Sequence, residues 1–382
     1  MDNDTRETSF PFHSVGITGA TGTIAGQFQE LLLSHFPQVA RIRSTCRNPE
    51  SESARRLPLG DRLELLGGGI RNVDNLRTLA ESSDVVYHLA AWLANTELPG
   101  ITEVFVANSL ATGILARLCR RHGTPLVFTS SHSVYFAGEY SGVIKEDGFQ
   151  FRRDFMNWID EVEPHYTELA DRIIAGSVDF RAANDAVDGI HAELPPPFDP
   201  KIYDNDSYHV YCLSKLLAEE FALRAGGFVV RLSNVYGPGD DSPQAVSEAC
   251  QRVLAAGPGE HLEVRQPFKR LVPVYMGDIC RCFVRAASLE PGDGVIPLFT
   301  VASQKSYMRE DELLRRVAGA VNEVRGTDRD YDIETLPPEE TPGFVYDLSK
   351  MHDHLLPEDE VTPFSEGVRR HIAWLMDRLD ID

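Results

Sequence analysis

Short apolar runs alternate with amphipathic segments over the first 232 residues of the chain. Each run has the length and the β-branched or aromatic content of a buried strand. The six runs are Ser14–Thr18, Ala40–Cys46, Leu63–Leu66, Asp84–Leu89, Pro125–Thr129 and Phe228–Leu232. Helical spacing of apolar residues follows at Gln27–His35, Asn75–Glu81 and Glu103–Arg121, and again from Tyr211. Strands that alternate with helices predict an α/β fold with a doubly wound parallel sheet.

The interval between Ser131 and Tyr211 departs from this alternation. Apolar residues keep helical spacing on both sides of Pro164 and again from Ala183 to Ile190. The pattern predicts a helical insertion over about 150–207 rather than a flexible linker.

The pattern also predicts two domains. We expect a dinucleotide-type domain over 10–236, which includes the insertion. A smaller, mostly helical substrate-binding region is expected over 237–382, with about 271–300 returning to the first domain. Helices dominate this second region, and the last is amphipathic from about Pro363 to Leu379.

Charge and cysteine usage limit the classes of partner. The formal net charge of −21 argues against binding to nucleic acid or to an anionic membrane surface. The six cysteines lack zinc-binding spacing and a C-x-x-C pair, so we expect reduced thiols, no metal and a cytoplasmic location. Cys280 and Cys282 are expected on opposite faces of a strand. We find neither a signal-peptide pattern nor an apolar run of membrane-spanning length.

A glycine-rich turn, Thr18–Gly26, follows the first strand and opens the first helix. Glycine allows the backbone to approach a pyrophosphate, and a helix N-terminus offers free N–H groups. The turn therefore predicts a dinucleotide site.

The second strand ends in Arg47 and Asn48 rather than in an acidic residue. Asp or Glu at this place binds the ribose 2′-hydroxyl of NAD, whereas Arg suits the 2′-phosphate of NADP. Arg41 and Arg43 add positive charge on the same strand. We expect NADP as the preferred cofactor and keep NAD as an alternative.

Tyr211 and Lys215 are four residues apart and share one face of the predicted helix. An ammonium group beside a phenol favours the phenolate and lowers its pKa towards the range of a general acid or base. The pair is a candidate acid/base centre.

Six segments together resemble the extended short-chain dehydrogenase/reductase family, which includes NAD-dependent epimerases and dehydratases of nucleotide-sugars. They are Thr18–Gly26, His88–Ala91, Val127–Tyr135, Tyr211–Glu219, Arg231–Gly239 and Val274–Ile279. They occur in the family's order and cover nearly the whole chain. The resemblance implies a Rossmann-type fold and hydride transfer at a hydroxyl or carbonyl carbon.

The resemblance also implies roles for individual residues. Tyr211 would be the general acid/base, Lys215 would hold the nicotinamide ribose, and Ser131 would hydrogen-bond the reacting oxygen. Asn108 falls on the family's helix asparagine and completes the catalytic set. The implied cofactor contacts are Gly19, Gly22, Thr23, Ile24, Ala90, Thr129, Tyr211, Lys215, Asn234 and Val235, beside Arg47 and Asn48. The implied substrate contacts are Ser131, His132, Asn234 and Arg270.

Three departures from the family pattern affect specificity. Gly69 stands where an Asp is expected to touch adenine, and Phe136 replaces a Gly. His132 and Ser133 stand where a 4,6-dehydratase carries Asp-Glu, which disfavours that reaction.

The function that these features imply is an NAD(P)-dependent oxidoreductase or epimerase of a small polar substrate, with a nucleotide-sugar as the family's commonest one. The alternatives are an NADPH-dependent reductase of a non-sugar aldehyde or ketone and a non-catalytic NADP-binding sensor. By analogy with the family, the Asn108 helix and the Tyr211 helix would pair between subunits, which predicts a homodimer.

Overall fold

The structure, a computed structural model, describes residues 10–57, 60–93, 100–138, 141–197, 207–257, 259–289, 297–337 and 343–381. The strands are β1 (Ser14–Thr18), β2 (Arg41–Cys46), β3 (Leu63–Gly67), β4 (Val85–His88), β5 (Leu126–Ser131), β6 (Gly142–Ile144), β7 (Phe228–Leu232), β8 (Asn234–Tyr236), β9 (His261–Leu262), β10 (Pro273–Tyr275), β11 (Leu298–Val301), β12 (Asp332–Ile333) and β13 (Phe344–Tyr346). The helices are α1 (Thr23–His35), α2 (Glu52–Arg55), α3 (Val73–Ser82), α4 (Ile101–Phe105), α5 (Ala111–His122), α6 (Arg153–Ile174), α7 (Ala183–Glu193), α8 (Ser207–Arg224), α9 (Ala245–Ala255), α10 (Met276–Ala286), α11 (Glu310–Arg325), α12 (Ser349–His354) and α13 (Phe364–Leu379).

Seven strands form one parallel sheet in the order β11-β7-β5-β4-β1-β2-β3. The strand order reverses between β1 and β4, and in such sheets ligands bind at the carboxyl ends of the strands beside this switch point. Val85 to His88 are all buried, as expected for a central strand that helices cover on both faces. The predicted Rossmann-type α/β fold is confirmed, and the six predicted strands lie within a residue or two of their expected bounds.

The chain divides into two compact units. The first comprises Met1–Tyr140, Asp147–Arg231 and Val284–Phe299, and the second Ser141–Glu146, Leu232–Phe283 and Thr300–Asp382. The bounds differ from the expected domains in three respects. The segment that returns to the first unit is Val284–Phe299 rather than about 271–300. β6 joins the second unit because it pairs with β13 there, and β8 does so because it pairs with β10. In this second unit, α9, α11 and α13 surround a separate apolar core.

The insertion is helical, as its apolar spacing predicts. It contains α6 and α7, and α6 continues through Pro164 without a break. Proline has no backbone N–H, so one hydrogen bond of α6 is absent at Pro164. Pro164 is exposed, so this gap lies on the solvent side of the helix. The expected boundary near residue 207 falls at the start of α8, and residues 198–206 before it lie outside the described residues.

Two expectations about individual segments are wrong. Cys280 and Cys282 lie on α10 rather than on a strand, because the strand β10 ends at Tyr275 and a helix begins at the next residue. The second is that no apolar run has membrane-spanning length. One helical stretch, Ile101–His122, is long and apolar enough to cross a membrane by length and composition. Within the protein 72% of its apolar window is buried, as in the core helix of a folded domain.

Candidate functional site

The glycine-rich turn carries β1 into α1 at the switch point of the sheet. Gly19 has φ +79°, and a Cβ there would stand 3.0 to 3.1 Å from the backbone and Cβ of Ala90. Gly22 is the N-cap of α1, with no side chain that caps the helix, and Gly26 supplies the first N–H that bonds back to Gly22. The N–H groups of Thr23, Ile24 and Ala25 therefore precede the first hydrogen-bonded turn and are available to an anion.

The buried side-chain amide of Gln29 holds the glycine-rich turn in place. Gln29 Nε2 donates to the carbonyls of Ala20 and Ala25, both at 2.9 Å, and its Oε1 accepts from Ser44 Oγ. The carbonyl of Thr45 also accepts from the N–H groups of Gly19 and Ala20. The turn is thus fixed to β2 before any ligand binds. Sequence reasoning missed Gln29, whose only signal is a polar residue on the apolar face of α1.

A chain of buried polar groups connects β1, β4 and α5. The Thr18 hydroxyl accepts from the backbone N–H groups of Leu89 and Ala90, so its own proton points to His88 Nδ1 at 2.7 Å. His88 Nε2 then carries the proton and donates to Thr112 Oγ1 at 2.8 Å. Burial, followed by the charge of Lys215, lowers the pKa of His88 to about 3, which keeps the ring neutral.

Asn108 lies in a π-helical segment, Val106–Leu110, between α4 and α5. π-helical turns often occur at functional sites, where they reorient a side chain. The Asn108 amide exchanges two hydrogen bonds with the backbone of Trp92 and donates to Ser214 Oγ at 3.0 Å. Ser214 Oγ in turn donates to the carbonyl of Tyr211. Asn108 therefore joins the loop after β4 to α8 and acts on Tyr211 through Ser214 rather than by contact.

Tyr211 and Ser131 meet at the carboxyl end of β5. The Tyr211 phenol is hydrogen-bonded with Ser131, and Ser131 Oγ is also 2.8 Å from Ser133 Oγ. Burial raises the pKa of Tyr211 above its usual value, although the bond with Ser131 opposes this effect. At neutral pH the phenol is protonated.

Lys215 lies one turn after Tyr211 and is also buried. Its Nζ donates to the carbonyl of Thr129 at 2.6 Å and lies 4.3 Å from the centroid of the Phe128 ring. Burial lowers the pKa of Lys215 to about 7, with Glu219 acting in the opposite direction. The expectation that Lys215 lowers the pKa of Tyr211 is not met. Burial raises the pKa of Tyr211, and the Lys215 amine is hydrogen-bonded to Thr129 instead.

Glu219 and Arg231, which belong to different motifs, form a buried ion pair. Arg231 makes a two-point contact with Glu219, with Nε–Oε1 at 2.9 Å and Nη2–Oε2 at 2.7 Å. The Arg231 guanidinium also lies 4.8 Å from the centroid of the Tyr135 ring. The ion pair connects α8 to β7. It accounts for the acidic residue in the first motif and the basic residue in the second. Sequence reasoning listed both segments but did not connect them.

Arg47 and Asn48 lie at the exposed carboxyl end of β2. The carbonyl of Arg47 accepts from Gly68, and its guanidinium forms no ion pair with any carboxylate in the described ranges. A Cβ at Gly69 would be 3.4 Å from Arg47 Cγ, so the residue at the expected adenine position borders this arginine. Asn48 Oδ1 accepts from Glu50 in a local turn.

The other two arginines of β2 do not add charge to this end of the strand. Arg41 is at the amino end, and Arg43 is bonded to Glu64 and Ser82. At about 3.3 Å per residue, Arg41 is roughly 20 Å along the strand from Arg47. Their predicted contribution to the cofactor site is wrong for this geometrical reason.

His132 is buried in the turn after β5, against the ring of Phe136, with centroids 6.2 Å apart.

The remaining site candidates lie in the second unit. Asn234 Oδ1 accepts from Val272 and ties β8 to β10, with Val235 next to it on β8. Arg270 stacks over the Tyr307 ring at 5.0 Å.

Comparisons with known proteins agree with this architecture. Residues 15–149 match the model of the NAD dependent epimerase/dehydratase family. A dTDP-4-dehydro-6-deoxy-D-allose reductase from a Streptomyces species is 25% identical over 373 residues, which are 94% of this chain and 95% of the relative.

Solved structures of the same fold cover almost the whole chain. UDP-glucuronic acid 4-epimerase from Bacillus cereus, in complex with UDP-glucuronic acid and NAD, is 18% identical with a TM-score of 0.64, over 96% of this chain and 99% of that one. The dTDP-glucose 4,6-dehydratase DesIV from Streptomyces venezuelae, with NAD bound, is 16% identical with a TM-score of 0.64, over 96% and 98%. Residues 15–149 therefore match the NAD-dependent epimerase/dehydratase family, and the chain as a whole shares the fold of these solved structures.

Proposed function

We propose that this protein is an NAD(P)-dependent oxidoreductase that reduces a carbonyl carbon of a nucleotide-linked sugar. The observation that carries the proposal is the protonated Tyr211 phenol, buried at the end of β5 in a hydrogen bond with Ser131. A group that holds its proton at neutral pH suits the donation of that proton to a developing alkoxide. The reductase that is 25% identical along 94% of this chain supports the same direction of reaction.

The local geometry fits a dinucleotide. The close approach at Gly19 and the uncapped start of α1 suit a pyrophosphate, because a side chain at either place would fill the space or occupy the free N–H groups. Within the described residues, the buried hydroxyls of Thr45 and Thr129, at the ends of β2 and β5, have no hydrogen-bond partner. Each leaves one polar group for a ligand at the cofactor edge of the sheet.

The roles of the chain's own residues follow from their contacts. The nicotinamide, when bound, would supply the hydride to the carbonyl carbon. Ser131 would orient the carbonyl oxygen, and Tyr211 would give its Oη proton to that oxygen as the C–O double bond becomes single. Lys215, with its pKa near 7, would offset the charge of the tyrosinate in its protonated form. Asn108 would keep α8 in position through Ser214.

The substitution Tyr211→Phe tests the proposal. We expect turnover of a nucleotide-linked keto-sugar with NADPH to fall roughly 100- to 10,000-fold, the range for loss of a general acid. Calorimetric binding of NADPH should be retained, because the phenol is not needed for the pyrophosphate contacts. Tyr166→Phe is a matched control, since it removes another buried phenol of the first unit without touching this centre.

Four results would count against the proposal. Undiminished turnover in the Tyr211 variant would exclude the acid role. Reduction of simple aldehydes or ketones alone would favour a non-sugar reductase, and binding of NADPH without turnover of any carbonyl substrate would favour a sensor. Tightly retained NAD in the purified protein, found by mass spectrometry, would favour an epimerase.

We further propose a preference for NADP over NAD. Arg47 is exposed at the end of β2, has no carboxylate partner in the described part of the chain and takes the place of the acidic residue that selects NAD. Arg47→Ala should weaken NADPH binding about 10- to 100-fold, because a charge-assisted hydrogen bond contributes about 1.5–3 kcal/mol. NADH binding should change little. Arg41→Ala, at the far end of the same strand, is the control, and equal losses for both cofactors would refute the preference.

A further inference from the structure

Helices α5 and α8 are enclosed on every side within one chain. From Ala111 to Cys119 only Arg117 is more than slightly exposed, and from Val210 to Ala222 only Glu220 is. A helix that is buried all round needs neighbours on all its faces. The two helices also touch each other closely, since a Cβ at Gly113 would be 3.2 Å from the Phe221 ring.

The insertion supplies the neighbour on the side away from the sheet. Helix α6 has a continuous apolar face that is buried in the same core as α5 and α8. Its members follow the i, i+3, i+4 pattern of one helix face: Phe155, Trp158, Ile159, Val162, Tyr166, Leu169, Ala170 and Ile173. The Tyr166 and Phe221 rings lie 6.4 Å apart between α6 and α8. This spacing is the pattern of a helix in a helical bundle.

Ion pairs fix α6 at the rim of this contact. Asp171 accepts from Arg117 Nε at 2.9 Å and from Arg121 Nη2 at 2.8 Å, both on α5. Glu163 is paired with Arg224, the last residue of α8, at 3.1 Å. Both edges of the α5 and α8 surface are therefore bound to α6.

The opposite face of α6 is polar and mainly acidic. Asp160, Glu161 and Glu168 are exposed there, with Asn157 and His165 between them. In a symmetric dimer through this face, the same patch would meet itself, so that like charges would face each other. The chain's net charge of −21 adds to this repulsion.

We propose that α6 takes the place of a partner subunit: it covers the α5 and α8 surface from within the same chain, so that a second copy cannot pair there. The homodimer expected by analogy would use that surface, and the structure assigns it to the insertion instead. The chain is then a monomer, or associates only through some other surface.

The native protein gives the first test. We expect a mass of 42.5 kDa by sedimentation and native mass spectrometry over a wide range of concentration. Hydrogen exchange of α5 and α8 should not depend on concentration. A dimer in which α5 and α8 gain protection on association would overturn the proposal. A dimer in which other segments gain protection would support the proposal that α6 covers the α5 and α8 surface.

A variant pair provides the second test. Asp171→Ala removes both arginine contacts of α6 with α5, so hydrogen exchange in α5 should become roughly two- to fivefold faster. Glu168→Ala, on the outer face of the same helix, should leave this exchange unchanged. Equal exchange in α5 for the two variants would count against the contact of α6 with α5 through Asp171.

Discussion

At the scale of single residues, Gly19 has little freedom to change. Its φ of +79° is unfavourable for a residue with a side chain, and a Cβ would lie 3.0 Å from the Ala90 backbone. We expect Gly19→Ala to lower the free energy of unfolding by about 1–3 kcal/mol and to weaken dinucleotide binding at least about tenfold. Urea unfolding and calorimetric titration with NADPH measure the two effects.

Gly189→Ala is the control for this substitution. Gly189 lies inside α7, where nothing lies within 4 Å of a new Cβ, so alanine should raise stability by about 0.5–1 kcal/mol. A loss of stability at Gly189 similar to that at Gly19 would mean that backbone geometry is not the cause.

Tyr211 and Lys215 show what residue spacing can and cannot predict. Their four-residue spacing places both on α8, beside Ser131 and Thr129, as the helical pattern indicates. The direction of each pKa shift depends on burial, which comes from elements distant in sequence. Burial raises the pKa of Tyr211 and lowers that of Lys215. Spacing alone therefore predicted the position of the pair but not its protonation.

At the scale of elements, the strands of the sheet were predictable because each is a short apolar run with a clear start and end. The π-helical turn at Val106–Leu110 was not, since its sequence has ordinary helical spacing. The pairing of β6 with β13 was also not predictable. It joins three-residue strands about 200 residues apart, which are too short to have a periodic signal.

The insertion illustrates a second limit at this scale. Its helical nature could be read from apolar spacing, because Phe155, Val162 and Tyr166 recur on one face of α6. Which surface that face covers could not be read, since the contact with α5 and α8 is set by tertiary packing. The Tyr166–Phe221 contact and the ion pairs of Asp171 and Glu163 identify the covered surface.

At the scale of the whole molecule, three histidines with lowered pKa values determine how stability responds to mild acid. Burial lowers the pKa of His88 to about 3, and those of His191 and His371 to about 4. In the unfolded chain the same rings titrate near 6.5. Above pH 6.5 both states are neutral at these sites, so the histidines do not make stability depend on pH there. Below it the unfolded chain binds protons that the folded chain does not, so stability falls as pH falls.

We therefore expect the free energy of unfolding to fall between pH 6.5 and 5, with a limiting slope of about 4 kcal/mol per pH unit when all three sites contribute. The raised pKa values of Asp240 and Asp278, which are also due to burial, act in the opposite direction nearer their own titration range. Urea unfolding at a series of pH values gives the slope.

His371→Phe separates the histidine contribution from the effect of net charge. His371 is stacked on Trp374, with centroids 6.0 Å apart and planes 13° from parallel, so a phenylalanine ring can keep that contact. The variant should lose about a third of the slope, because one of three sites no longer takes up a proton on unfolding. Variant and native protein have almost the same charge, so repulsion between carboxylates affects both alike. Parallel pH profiles for the two proteins would assign the acid sensitivity to net charge instead.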